Sequence, residues 1–155
     1  GFKSWIYRFV SVLGPRYSHG VVFDFVKKLL KNPKSLEMLG DGSQRKSFLH
    51  VFDCAEAIIF GVENGKDNVN IFNIGAEEYI VVKRIAEIVT KNMGLINVNY
   101  SFTGGSRGWI GDAPFVLLSI EKIKRLGWKP KVNIEQSIIE TTNYLLGNKA
   151  LLERD

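Results

Sequence analysis

The chain has 155 residues, 45% of them hydrophobic, with a formal net charge of +5 and a single cysteine. That is enough apolar material for one buried core, it excludes a disordered segment, and one cysteine excludes an internal disulfide framework. No apolar run reaches membrane-span length and no signal-peptide order opens the chain, so a cytoplasmic protein is expected; the basic residues cluster on and just after two predicted helices, as solvated faces do, so neither a membrane nor a nucleic acid is expected as partner.

Ile6 to Leu13 is rich in β-branched and aromatic residues and stops at Gly14-Pro15, which predicts one buried strand. From Val21 to Lys31 the residues Val21, Val22, Phe25, Val26, Leu29 and Leu30 recur at helical spacing, and Asn32-Pro33 ends the helix. Leu36 to Leu39 is a short strand, Gly40-Asp41-Gly42 a turn, and Phe48 to Val51 is extended again. Asp53, with Glu56 three residues on, is expected to cap a helix that buries Ala55, Ile58, Ile59 and Val62. Cys54 sits in this apolar stretch and reads as a small buried thiol without chemistry.

Val69 to Ile74 is a compact apolar strand, and Val82 to Met93 a helix with Ile85, Ile88 and Val89 inward. Asn97 to Phe102 alternates as a strand does, and the glycine-rich segment from Thr103 to Pro114 is a loop. Ser119 is expected to cap a short helix closed by Gly127. Asn133 with Gln136 opens the last helix, in which Ile134, Ile138, Ile139, Leu145 and Leu146 point inward. The whole is α/β, and Ile6 to Leu13 and Val69 to Ile74 have the composition of strands covered on both faces.

Five motifs follow one another along the chain: Gly14-Pro15-Arg16, the run from Gly40 to Val51, Phe72-Asn73-Ile74-Gly75, Arg107-Gly108-Trp109-Ile110-Gly111-Asp112, and Leu126-Gly127-Trp128-Lys129-Pro130-Lys131. The series resembles the C-terminal part of the extended short-chain dehydrogenase/reductases, the family of NAD-dependent nucleotide-sugar epimerases and dehydratases such as UDP-glucose 4-epimerase. The resemblance implies late strands of an NAD(P)-binding Rossmann-type sheet plus a small α/β substrate domain. Residues 1–16 would then be the terminal strand of the dinucleotide-binding domain, and residues 17–155 the substrate region, with Val69 to Ile74 returning to the cofactor sheet. It further implies that the Gly-rich turn for NAD and the catalytic Tyr-x-x-x-Lys pair lie upstream, so no catalytic residue and no metal ligand is assigned. Tyr79-Ile80-Val81-Val82-Lys83 matches that spacing but is rejected, because it enters the helix after the Phe72 to Gly75 strand with no Gly-rich turn before it.

Residue by residue, the resemblance places Phe9 and Val12 beneath the cofactor and gives Ser11 the place of a substrate-contacting Asn, with a shorter reach. His19, Gly20 and Val21 stand at a helix N-terminus suited to the nucleotide, and Leu39 ends the strand that reads the base through backbone groups. Gln44 and Lys46 belong to the most specific run. Lys46 takes the place of a diphosphate-binding Arg and gives up its bidentate fork. Arg107 resembles the second diphosphate cation and Asp112 the acid on the ribose hydroxyls. The implied function is the nucleotide-sugar-binding part of an NAD-dependent 4-epimerase, most simply for a UDP-hexose, the complete enzyme being a homodimer. The chain alone is expected to be inactive and to self-associate through its exposed strands. The rival readings are a dehydratase or reductase of the same superfamily and a non-catalytic RNA- or ligand-binding protein on the same scaffold.

Overall fold

A computed structural model describes residues 1–153, an α/β fold built as two small cores sharing one chain crossing. Strand β1 (Ser4–Phe9) pairs in parallel with β6 (Val69–Ile74), in register from Ser4 opposite Val69 to Phe9 opposite Ile74. At Val10 the chain leaves this pair, its N–H bonding Ile74 O at 3.3 Å, and continues as β2 (Ser11–Leu13), which pairs in parallel with β5 (Phe48–His50). The single strand expected from Ile6 to Leu13 is therefore two strands, because Val10 switches partners.

Of the two faces of the β1 and β6 pair, one packs against a helix. Trp5, Tyr7, Asn70, Phe72 and Ile74 face helix α2 (Val51–Asn64), where the Trp5 indole donates to Gly61 O at 3.1 Å and the Tyr7 hydroxyl to Ile58 O at 2.8 Å. The opposite face, with Ile6 46% and Val69 55% exposed, carries no helix among the described residues. Alternation along the two strands puts Trp5, Tyr7, Phe72 and Ile74 on the packed face and leaves Ile6 and Val69 on the exposed one.

The first core joins β1, β6, α2 and α4 (Glu121–Arg125) through Val10, Leu49, Ala57, Phe72, Ile74, Ile120, Ile123 and Trp128. The second is larger. It packs α1 (Val21–Lys31), β3 (Ser35–Met38), α3 (Val82–Asn92) and α5 (Ile134–Gly147) around Val22, Phe25, Leu36, Met38, Ile85, Val89 and Ile138. Strand β8 (Asn99–Phe102) pairs in parallel with β3, and the short β4 (Arg45–Lys46) pairs antiparallel with β7 (Ile80–Val81). The two cores interleave along the chain: α2 packs with β1, and α4 with β6. The last two residues of the span 17–155 lie outside the described residues.

Helices α1, α3 and α5 form where the apolar spacing predicts them, except that Leu30 is exposed. Asn133 caps α5 as expected, its side chain accepting the Gln136 N–H at 2.8 Å. Helix α2 departs from expectation in two ways. Its cap is His50, whose Nδ1 accepts the Phe52 N–H at 3.4 Å, and its buried side holds Asp53, Ala57 and Gly61 while Ala55, Ile59 and Val62 are exposed. Asp53 instead accepts the backbone N–H groups of Lys131 (3.0 Å) and Val132 (2.9 Å), tying the approach to α5 onto α2. Similarly, α4 begins after Ile120, and Ser119 spends its carbonyl on the Asn73 amide.

Asp53→Ala leaves two backbone donors without their carboxylate. It should lower unfolding stability by about 2–3 kcal/mol, read from the urea midpoint at constant slope; a loss below about 0.5 kcal/mol would contradict the tie.

Candidate functional site

A cleft of about 600 Å³ opens against the second core, whose Val21, Phe25, Phe48 and Val82 form part of its wall. Its walls come from separate stretches of chain: β2, the lead-in and first turn of α1, the run from Leu39 to Phe48, and the loop from Gly108 to Asp112. Nine expected site residues line it together, namely Val12, Ser11, His19, Gly20, Val21, Leu39, Gln44, Lys46 and Asp112. Two do not. Phe9 is 44% exposed at the end of β1, and Arg107 sits one residue outside the wall, its guanidinium donating to Ile110 O at 3.3 Å.

Helix α1 opens onto the cleft at Gly20, whose φ of +93° suits a residue without Cβ, and no side chain caps it. Its first amides and the positive end of its dipole therefore remain available to an acceptor. Asp24, one turn on, is paired with Lys28 at 2.9 Å. Tyr17 stacks on His19 with ring centroids 5.8 Å apart, and burial pushes its phenol up to about 12. The phenol is thus a neutral donor at any physiological pH, and its oxygen fills the space that a side chain at Gly20 would need.

Lys46 is the cation of the cleft wall. Its ammonium is salt-bridged to Asp112 and donates to Ala113 O at 2.8 Å, while the other Asp112 oxygen accepts the Gly108 N–H at 3.0 Å. Lys46 and Asp112 thus clasp β4 to the loop. Beside it Gln44 is only 2% exposed, and neither amide atom has a hydrogen-bond partner among the described residues. The amide lies against Gly40, where φ is +78° and a Cβ would collide with it. A buried donor and acceptor held side by side suit a polar ligand, since leaving both unmade costs stability.

The rejected Tyr79 and Lys83 stay outside the cleft. Tyr79 precedes α3 and packs edge-on to Phe115, under the Arg45 guanidinium 5.3 Å from its ring. Lys83 lies in the first turn of α3, its backbone N–H on Gly42 O at 3.0 Å. The two do not share a helical turn.

Sequence reading missed Tyr17, Asp24, Phe25, Phe48, Val82, Gly108 and Trp109. Phe25, Phe48 and Val82 carry the same signal as core residues. Trp109 had one available: a large aromatic between glycines in a loop has no core to enter.

The model of the NAD-dependent epimerase/dehydratase family matches residues 1–75. Mouse dTDP-D-glucose 4,6-dehydratase is 31% identical over 152 residues, covering 95% of this chain and 42% of that protein. A crystal structure of UDP-galactose 4-epimerase superposes with a TM-score of 0.79 at 29% identity, covering 94% of this chain and 46% of that one. The UDP-glucose 4-epimerase of Thermotoga maritima, solved with UDP-glucose, gives 0.76 at 27% over the same shares. Over nearly its whole length the chain is similar to proteins of the NAD-dependent epimerase/dehydratase family. Its α/β fold is that of the family's Rossmann-type structures, and it spans about half the length of the relatives it matches.

Because burial holds the Tyr17 phenol above its ordinary value of 10, its contribution to stability is full below pH 10 and is lost as pH rises through 12. Unfolding titrations should show about 2–3 kcal/mol lost across that window, and less in Tyr17→Phe; equal loss in both would contradict burial of the phenol.

Proposed function

We propose that the cleft binds a nucleotide sugar, a UDP-hexose in the simplest case, for NAD-dependent 4-epimerisation, and that this chain supplies the binding and orienting part of the reaction. One observation carries the reading: an uncapped helix start, a buried amide with a cation two residues on, and a carboxylate, drawn from three segments of chain, line a single cleft. A nucleotide sugar calls for that order of groups. Its diphosphate would meet Lys46 and the first amides of α1, and Asp112, released from Lys46, would accept from ribose hydroxyls. Arg107 becomes the second cation by exchanging its single bond to Ile110 O for a phosphate oxygen.

NAD fits the open end of this arrangement. Parallel strands β1 and β6 end side by side at Phe9 and Ile74, the crevice where α/β sheets receive cofactors, and exposed Phe9 with half-buried Val12 offers apolar surface to a flat ring. When bound, NAD supplies the acceptor and donor of the hydride at C4 of the hexose. The chain's own residues fix the sugar nucleotide so that C4 stays within reach while the sugar turns. Ser11, on β2 beside Val12, hydrogen-bonds the sugar with its hydroxyl, and the phosphate contacts hold the remote end.

A second reading, 4,6-dehydration, is favoured by the 31% identity to the mouse dehydratase and uses the same cleft. The products of the complete enzyme separate the two: a 4-epimer, or a 4-keto-6-deoxy sugar.

Calorimetry of this chain with UDP and UDP-glucose tests the cleft. Lys46→Ala should weaken UDP binding by about tenfold or more, Lys46→Arg should retain it, and Arg107→Ala should cost less than Lys46→Ala. Turnover and NAD binding are expected to be absent from the chain alone, since no Gly-rich strand–turn–helix is present in these 155 residues. Binding of a mixed RNA pool with no response to UDP would replace this reading with a non-catalytic one.

A further inference from the structure

Trp109 is 66% exposed, which for one apolar side chain is unremarkable, yet it forms part of the cleft wall and its loop is built to hold it there. The Asp112 N–H bonds Trp109 O at 3.0 Å and the Gly108 N–H bonds the Asp112 carboxylate, so the residues around the indole close on themselves. The Lys46 to Asp112 salt bridge then anchors that closed turn to β4. Gly111 matters for the same reason: its missing side chain leaves the space against which the indole six-membered ring packs. Indole, turn and anchor therefore form one unit, fixed beside the cation proposed for the diphosphate.

The position along the cleft selects the ligand group. A side chain at Gly108 would meet Leu39 Cβ at 3.6 Å, so the loop lies at the end of β3, whereas Ser11 and Val12 belong to the β2 and β5 pair. With the reacting sugar at Ser11 and the diphosphate at Lys46, the group that reaches Trp109 is the nucleobase. A planar base has a π-face that stacks on an indole whatever its edge carries. We infer that Trp109 is the stacking platform for the nucleobase, with Leu39 closing the apolar side, and that it determines affinity for the nucleoside part independently of the phosphates. The inference rests on the nucleotide-sugar reading of the cleft.

The test uses the full chain with two probes, UDP and inorganic pyrophosphate, against wild type, Trp109→Ala and Trp109→Phe. Stacking predicts that Trp109→Ala raises Kd for UDP about tenfold and leaves Kd for pyrophosphate within about twofold, with Trp109→Phe close to wild type for both. UDP should also change the indole emission of wild type, and this change should vanish in Trp109→Phe, where Trp5 and Trp128 remain as controls. Unchanged UDP affinity in Trp109→Ala overturns the inference and leaves the nucleotide reading standing. Equal weakening of both probes overturns it too, because the indole would then only support the Lys46 anchor. Failure of wild type to bind either probe overturns the reading of the cleft itself.

Discussion

The run from Gly42 to His50 must satisfy backbone groups along both edges at once, and that requirement places the walls of the cleft. Gly42 O and Gln44 O accept the first two N–H groups of α3, each at 3.0 Å, in place of a side-chain cap. The Arg45 N–H bonds Pro114 O at 2.7 Å, fixing the end of the loop that carries Trp109 and Asp112. Three residues later the same strand pairs with β2, and two residues after that Phe52 receives its cap from His50. Buried backbone donors and acceptors must be paired, so shifting this run by one residue would disturb α3, the loop, β2 and α2 together.

That economy explains why the cleft carries charge without being strongly basic. Lys46 projects from the shared run and already has a partner in Asp112, and the bonds to Ala113 O and from the Gly108 N–H help to offset the desolvation of this largely buried pair. The buried Gln44 amide next to it is a strained choice for a structural residue, and it makes sense where function sets the side chain. His50 plays two parts on the same run. Its Nδ1 caps α2 while its Nε2 lies 3.1 Å from the Glu140 carboxylate, which sets the end of β5 against α5.

How much of this was legible in the sequence depends on how local the deciding contact is. Helices α1, α3 and α5 carry one apolar stripe and one polar face, and their positions follow from spacing alone. Helix α2 is apolar nearly all round, so spacing could not say which side is buried; Tyr7, 51 residues from Ile58, decided it. Asp53 with Glu56 has the pattern of a local cap, but its carboxylate serves amides 78 and 79 residues away. The nine residues that gather in the cleft were legible through the order of motifs. Arg107 was legible as a motif member, though its side chain turns to Ile110 O, and Trp109 was not, because the motif was read for its charges.

The most direct measurement of the central claim is backbone amide NMR of this chain titrated with UDP. Nucleotide binding in the cleft predicts saturable shifts confined to Ser11 and Val12, His19 to Val21, Leu39 to Lys46 and Gly108 to Asp112. Absence of shifts at saturating UDP, or shifts gathered on the outward face of β1 and β6, would contradict it.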